Sequence, residues 1–227
     1  MIDYISYYYT IRGKMHNIIA NSCIGGYIYR NLGEPFRNPF TWAMIRSQSF
    51  IQLIRTYDII DWDNIELLWD TDNPLKDRKT YKLCVDKQFM LHYTHYLDDE
   101  RFETPLKDGV DIRYNRITDY IIEKYTSRVR RMLSDSINPI FLILCSEYKR
   151  YDYTLDNQIK LCEKTQDSSY IKIIITKYKE LLRFQDTNTI IFITEFEPNI
   201  PPHNTEWFAN TYFPDIMSAL KQRGIHD

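Results

Sequence analysis

The sequence lacks the features that mark several common classes of protein. Its four cysteines show no CxxC or CxxxC spacing, which argues against a structural zinc site and against a disulfide framework. Neither a Walker loop nor a GxGxxG fingerprint is present, so a nucleotide cofactor has no direct support. We therefore predict a protein that uses no cofactor and no metal.

Long apolar runs and an excess of charge of one sign are also missing. No run approaches the roughly 20 apolar residues that cross a bilayer, and the first residues, MIDYISYYYT, lack the pattern of a signal peptide. The 29 basic and 31 acidic side chains leave a net charge of -2, which favours neither nucleic acid nor an anionic membrane. We expect a cytoplasmic protein with no nucleic-acid partner and no membrane span.

What is present is a pattern of buried strands that alternate with helical segments, and 227 residues are enough for one substantial core. This alternation predicts an α/β fold with a mostly parallel, Rossmann-like sheet, helices on both faces and an α+β insertion. Residues 1–14 are predicted to be a peripheral segment and 15–227 a single domain. The last helix is predicted to begin at Pro214, because proline is favoured in a first helical turn.

A polar turn that follows the first buried strand carries Cys23. Asn21 and Ser22 are residue types that cap a helix N-terminus. Cys23 then lies in the first helical turn, where the helix dipole favours a thiolate and lowers the thiol pKa. Gly25 and Gly26 leave room for another backbone or a ligand. The alternative is a packing residue, since free cysteine is usually buried and inert.

Strand-like alternation over residues 81–97 places two histidines near a strand end. His95 shares the face of the apolar residues, while His92 faces the other way. Asp98 follows directly, where a carboxylate can orient an imidazole. The alternative interpretation is a pair of histidines on a half-exposed strand.

A helix predicted over 117–133 carries an apolar stripe that includes Tyr125, and Arg128 falls inside that stripe. Arg131 falls along one edge of the stripe, and Arg130 points towards solvent. A buried guanidinium needs a carboxylate, a phosphate or carbonyl groups as partners. Arg128 therefore forms either an internal salt bridge or an anion site. The candidate internal partners are Asp58, Asp61, Asp98 and Asp111.

Several segments in order resemble a bacterial family of unknown function associated with exopolysaccharide biosynthesis. They are IIANSCIGGYIYRNLG, NPFTW, FMLHYTHYL, EKYTSRVRRM and PIFLIL, and they cover roughly residues 15–145. The chain is also similar, more loosely, to a family described as papain-like cysteine peptidases. Thr41 stands where that second family commonly has an aspartate. The positions that the resemblance implies are Cys23, Pro39, Phe40, Trp42, His95 or His92, Tyr125, Arg128 and Arg131.

The resemblance implies, as one functional hypothesis, a cysteine-dependent hydrolase or acyltransferase of bacterial surface-polysaccharide metabolism. Its partner is then a small molecule or a glycan-related substrate. Cys23 attacks a carbonyl as a thiolate, His95 or His92 acts as general base, and Asp98 holds the imidazole. Backbone N–H groups of the turn near Ser22 stabilise the oxyanion. The predicted substrate-binding residues are Asn21, Ser22, Trp42, Tyr125, Arg128 and Arg131.

The alternative hypothesis is a non-hydrolytic protein of surface-polysaccharide assembly that is glycosyltransferase-like or binds a sugar phosphate. Arg128 and Arg131 then hold the phosphate of an activated sugar, and Cys23 is only a packing residue. One tryptophan stacks on the sugar ring, and the candidates are Trp42, Trp62 and Trp69.

Overall fold

The computed structural model describes residues 16–70, 80–93, 112–134, 137–145, 154–194 and 205–225. Its strands are β1 Asn17–Ala20, β2 Ala43–Met44, β3 Ile65–Asp70, β4 Thr80–Val85, β5 Phe89–Tyr93, β6 Pro139–Leu144, β7 Ile171–Thr176 and β8 Thr189–Ile193. Its α-helices are α1 Ile24–Leu32, α2 Ser47–Thr56, α3 Ile112–Ser134, α4 Leu155–Thr165 and α5 Thr205–Gln222. Two short 3₁₀ helices span Tyr57–Ile59 and Lys179–Phe184.

Four strands form a parallel sheet in the order β1-β6-β7-β8. Successive side chains of a strand point to opposite faces, so each strand contributes to two apolar layers. One layer contains Ile19, Phe141, Ile143, Ile174 and Ile191. The opposite layer contains Ile18, Leu142, Leu144, Ile173 and Ile190.

Helices cover both faces of this sheet. Apolar residues of α1 and α5 pack on one face, and those of α2 and α4 pack on the other, in the core that also contains the apolar residues of α3. The buried positions of α3 include Ile121, Tyr125, Val129 and Met132, the stripe that the helical spacing predicts. The α/β class is therefore confirmed.

The other four strands form an antiparallel sheet in the order β2-β5-β4-β3. Its inner face belongs to the same core as α2 and α3. The inward residues are Leu83, Val85, Phe89, Leu91 and Tyr93, as the alternation predicts. The prediction of a mostly parallel sheet thus holds for one of the two sheets, because the strands of the second sheet all pair antiparallel.

Buried side chains occupy the outer edge of β1, which has a strand neighbour on one side only among the described strands. The Tyr29 hydroxyl accepts a hydrogen bond from the Ile18 N–H at 2.9 Å and donates to the His16 carbonyl at 3.0 Å. The Asn38 amide donates to the Ile18 carbonyl at 2.7 Å. These bonds satisfy backbone groups that would otherwise need a further strand.

Asn21 lengthens the pairing of β1 with β6 beyond the last strand residue. Its amide nitrogen donates to the Leu144 carbonyl and its amide oxygen accepts from the Leu144 N–H, both at 3.0 Å. The prediction that Asn21 caps α1 is wrong, because the side chain is engaged by the neighbouring strand. The residue before α1 is Cys23, which makes no side-chain capping bond.

Helix α5 passes through Pro214 without ending or restarting there. The prediction that the last helix begins at Pro214 is therefore wrong. Pro214 and Asn210, whose carbonyl would be the partner of the missing N–H, both lie on the exposed side. Water can satisfy that carbonyl, so the proline is tolerated within the helix.

Other predictions about the fold concern the N-terminus and the membrane. The predicted peripheral segment 1–14 lies outside the described residues. None of the helices in the described ranges is long and apolar enough to span a bilayer.

We predict that Asn38→Ala lowers the free energy of unfolding by about 2–4 kcal/mol, because it leaves more than one buried polar group unsatisfied. The Asn38 amide donates to Ile18 and its oxygen accepts from the Phe40 N–H at 3.1 Å. Urea unfolding followed by circular dichroism measures the change. The control Asn138→Ala replaces an exposed asparagine and should change stability by less than about 0.5 kcal/mol. Equal effects of the two substitutions would contradict this account of the β1 edge.

Candidate functional site

Cys23 lies at the junction of β1 and α1, and its side chain is buried, with 5% of its surface exposed. The thiol donates a long hydrogen bond to the Trp42 carbonyl, with 3.9 Å between sulfur and oxygen. Burial raises the pKa of the thiol to about 12. The prediction that the helix dipole lowers this pKa is wrong, because loss of hydration opposes the charged form more strongly. Cys23 is therefore a neutral thiol at pH 7.

Ser22, the residue between Asn21 and Cys23, is half-buried. Its hydroxyl oxygen is buried and has no hydrogen-bond partner in the described part of the chain. The residue makes no capping bond to α1. Its predicted role in substrate binding stays a prediction.

Trp42 adopts an unusual backbone conformation directly above α1. Its φ angle is 66°, in the left-handed region that a bulky residue rarely occupies. The indole ring lies against Gly26, where an added Cβ would come within 2.4 Å of a ring atom. The rings of Tyr27 and Phe36 contact it edge-on, with centroids 4.8 and 6.0 Å away. The close approach predicted at Gly26 is thus made by the side chain of Trp42, and not by a backbone segment or a ligand.

Arg128 joins α3 to the loop that carries Trp42. Only 3% of Arg128 is exposed, which confirms its predicted place on the buried face of the helix. One guanidinium nitrogen donates to the Thr41 carbonyl at 3.2 Å, and the guanidinium carbon lies 5.5 Å from the centroid of the Phe36 ring. The structure thus brings Arg128 and Trp42 to the same loop, although nearly 90 residues separate them in the chain.

The other predicted residues of α3 have different surroundings. The Tyr125 hydroxyl donates to the Trp62 carbonyl at 2.9 Å, and burial raises the pKa of this tyrosine. Arg131 is half-buried, and its Nε donates to the Ser127 carbonyl one turn earlier. Arg130 is exposed, as predicted. Tyr125 thus has a structural hydrogen bond, whereas Arg131 stays a candidate for contact with a ligand.

The internal carboxylates proposed for Arg128 have other contacts where they are described. Asp58 accepts a hydrogen bond from the Tyr170 hydroxyl, and Asp61 accepts one from a backbone N–H two residues on. Asp98 and Asp111 lie outside the described residues. Arg128 contacts the Thr41 carbonyl and the Phe36 ring.

The predicted histidines belong to β5 and to the segment after it. His92 is half-buried and faces away from the core, opposite Met44 of β2 and Lys82 of β4. His95 and Asp98 lie outside the described residues. The pairing of an imidazole with Cys23 stays a prediction.

The three tryptophans proposed to stack on a sugar also differ. Trp62 is buried among Phe40 and Tyr57 in the core, so a ligand cannot reach its ring without unfolding that region. The side chain of Trp69 lies outside the described part. Trp42 is half-buried at the surface of α1 and is the candidate that the geometry favours.

Sequence reasoning missed three residues that surround Trp42, namely Tyr27, Arg30 and Phe36. Arg30 places its guanidinium carbon 5.3 Å from the Tyr27 ring centroid and 5.5 Å from that of Trp42. Tyr27 and Arg30 are three residues apart on one helix and follow the helical Gly26, which is a signal that the sequence does contain. No three His, Cys, Asp or Glu side chains of the described ranges gather as a metal site requires.

A model of the family described as "domain of unknown function (DUF1919)" matches residues 3–132, more than half of the chain. The chain belongs to the DUF1919 family. The match contains every predicted site residue, from Asn21 to Arg131. No curated protein matches the chain. The matched residues thus include Cys23, Trp42 and Arg128. The description of the DUF1919 family names no activity or substrate.

We predict that the stabilising effect of Cys23 disappears at alkaline pH. The thiol ionises near its ordinary value of 9.0 in the unfolded chain and near 12 in the folded protein. Between those values the unfolded state binds fewer protons, so stability falls as pH rises. The difference in unfolding free energy between the wild type and Cys23→Ala should shrink by about 1.4 kcal/mol per pH unit above 9. A difference that stays constant between pH 8 and 10.5 would show that the folded thiol already ionises normally.

We also predict that Gly26→Ala lowers the free energy of unfolding by about 1–3 kcal/mol, because the new methyl group collides with the Trp42 ring. Tryptophan fluorescence during urea unfolding measures both the stability and the displacement of the ring. The control Gly33→Asn lies at the end of the same helix, with a φ of 67° and open space around it. Asparagine tolerates that backbone, so a change below about 1 kcal/mol is expected. A Gly26→Ala variant as stable as the wild type would contradict the close approach.

Proposed function

We propose that this protein is a non-hydrolytic component of surface-polysaccharide assembly in the cytoplasm, glycosyltransferase-like or binding a sugar phosphate. One observation carries the proposal: the Cys23 thiol is buried, neutral and hydrogen-bonded to the backbone of Trp42. A nucleophilic cysteine has to be accessible and ionised. Cys23 instead bonds to the backbone of Trp42, the residue that we propose to contact the ligand.

The arrangement around Trp42 supports a binding role. A strained backbone at a bulky residue costs about 1–3 kcal/mol and is typical of functional sites. The indole ring of Trp42 is held by Gly26 and two aromatic edges, and such a preorganised ring is suited to stack on a sugar. Arg128 is buried beneath the Thr41 carbonyl and supplies positive charge from below the surface, and the half-buried Arg131 on the next turn of α3 can contact a phosphate directly.

The proposal also includes a Rossmann-like use of the parallel sheet, in which the ligand binds at one end of the strands. Ligands of such sheets bind beyond the carboxyl ends of the strands. Cys23 follows the carboxyl end of β1, and the Trp42 carbonyl contacts it there. The ligand would therefore reach the protein at the end of the sheet where α/β folds hold their substrates.

The cysteine-hydrolase hypothesis stays a prediction whose histidine and aspartate partners, His95 and Asp98, lie outside the described residues. Thr41 takes the place of the aspartate that the peptidase-like family has, and its hydroxyl is directed at the Asn38 side chain, 3.5 Å away. The contact with Asn38 supports a structural role for Thr41. The geometry therefore favours binding over thiol chemistry.

The proposal predicts that a sugar nucleotide stabilises the protein through Arg128 and not through Cys23. Thermal unfolding in UDP-glucose, UDP-galactose and GDP-mannose should give a rise in Tm of about 5–10 °C for the cognate compound at about 100 times its Kd. The rise should persist in Cys23→Ala and be lost in Arg128→Gln, each compared with its own ligand-free Tm.

Arg130→Gln is the matched control, because it removes an exposed arginine from the same helix and should keep the rise in Tm. If Arg128→Gln does not fold, Arg131→Gln replaces it, with an expected partial loss. Loss of the effect in Cys23→Ala, or a covalent adduct on the Cys23 sulfur detected by mass spectrometry, would overturn the proposal in favour of the hydrolase.

A further inference from the structure

We infer that an uncharged sugar ring of the ligand binds across the outer side of α1 and α5, beside Trp42. This inference rests on the proposed function and identifies where the carbohydrate part is recognised. The surface, called the α1–α5 surface below, consists of Tyr27, Arg30 and Asn31 of α1 and Glu206 and Asn210 of α5.

The aromatic part of this surface is built by Tyr27 and the adjoining Trp42. The two rings meet edge to face at 76°, which leaves a corner of two apolar planes. The Arg30 guanidinium extends over both rings, and 60% of its side chain is exposed. A planar cation above aromatic rings at the surface offers a flat platform for the C–H face of a pyranose.

The polar part faces the aromatic corner from α5. An oxygen of the Glu206 carboxylate lies 4.0 Å from the Arg30 guanidinium, and 54% of the Glu206 side chain is exposed. The amide of Asn31, which follows Arg30, donates to the side-chain oxygen of Asn210, one turn after Glu206, at 3.0 Å. Both asparagines are exposed. The surface therefore carries a carboxylate, a guanidinium and two amides in a row.

This set of groups matches a polyol better than an anion. The charge of Glu206 offsets that of Arg30, so the surface does not attract a phosphate strongly. Each sugar hydroxyl is both a donor and an acceptor, and neighbouring hydroxyls are satisfied by groups of both kinds side by side. Glu206 accepts, Arg30 donates, and the amides do both. The long, exposed ion pair is itself weak, so its members can exchange partners at little cost.

The helices hold these groups in a fixed arrangement. Residues 27, 30 and 31 share one face of α1, and residues 206 and 210 share one face of α5. Phe208 and Ala209, between the two α5 positions, are fully buried against the core layer that also contains α1. The site needs no ordering of a loop within the described chain, which reduces the cost of binding.

The test is saturation-transfer difference NMR of the full chain with methyl glycosides of glucose, galactose, mannose and N-acetylglucosamine at millimolar concentration. At least one should bind the wild type. Glu206→Gln and Asn210→Ala should each weaken that binding by about tenfold or more, because the first replaces a charged acceptor by a weaker neutral one and the second removes a hydrogen bond that a hydroxyl uses. Both residues are exposed, so Tm should not change. The matched control Glu163→Gln replaces an exposed glutamate of α4 on the opposite face of the sheet and should leave binding intact.

The outcomes separate this inference from the proposed function. Equal glycoside binding by wild type and Glu206→Gln places the sugar elsewhere and overturns the inference. No glycoside binding, together with stabilisation by a sugar nucleotide that depends on Arg128, overturns the inference and leaves the proposed function standing. If neither glycosides nor sugar nucleotides bind, both are overturned.

Discussion

The hydrogen bonds along the outer edge of β1 are the constraint on which the rest of this structure depends. A strand in this position exposes backbone groups that need partners, and here two buried side chains supply them. Tyr29 bonds to the backbone at His16 and Ile18, and Asn38 bonds to the carbonyl of Ile18. Because Tyr29 belongs to α1 and Asn38 to the following loop, one network holds strand, helix and loop together.

The position of Trp42 follows from that network. Asn38 is held at the strand, and its oxygen accepts from the Phe40 N–H, so the chain turns within a few residues. The turn brings Trp42 onto Gly26 with a left-handed backbone, and its carbonyl meets the Cys23 thiol. Cys23 is therefore surrounded by protein because the loop is fixed above it. The same geometry that buries the thiol presents the indole ring beside α1.

Arg128 connects this region to the second half of the fold. A buried guanidinium is stable only with partners, and Arg128 finds a carbonyl of the loop and the face of Phe36. Helix α3 thus contacts the Trp42 loop through a polar bond. Any ligand that reaches Arg128 has to compete with the Thr41 carbonyl, which makes the loop and the proposed phosphate site interdependent.

Local patterns in the sequence were sufficient to predict the elements of the fold. The alternation of β4 and β5, the apolar stripe of α3 and the burial of Arg128 depend only on the periods of strand and helix, which hold wherever the element lies. Pro214 misled the prediction because tolerance of a proline depends on whether the helix side that it faces is exposed. Asn21 misled it because an amide that can cap a helix can equally pair with a strand that arrives from residue 144.

The sequence alone determined that Cys23 follows a buried strand at the start of a helix and that Arg128 lies on a buried face. Only the tertiary structure decided that the thiol is neutral and that the arginine bonds to Thr41. Hydration of a group and the identity of its partner depend on which distant segments fold over it, and a local sequence pattern does not contain that information. Tyr27, Arg30 and Glu206 come together for the same reason, since α1 and α5 meet only when both pack on the same face of the parallel sheet.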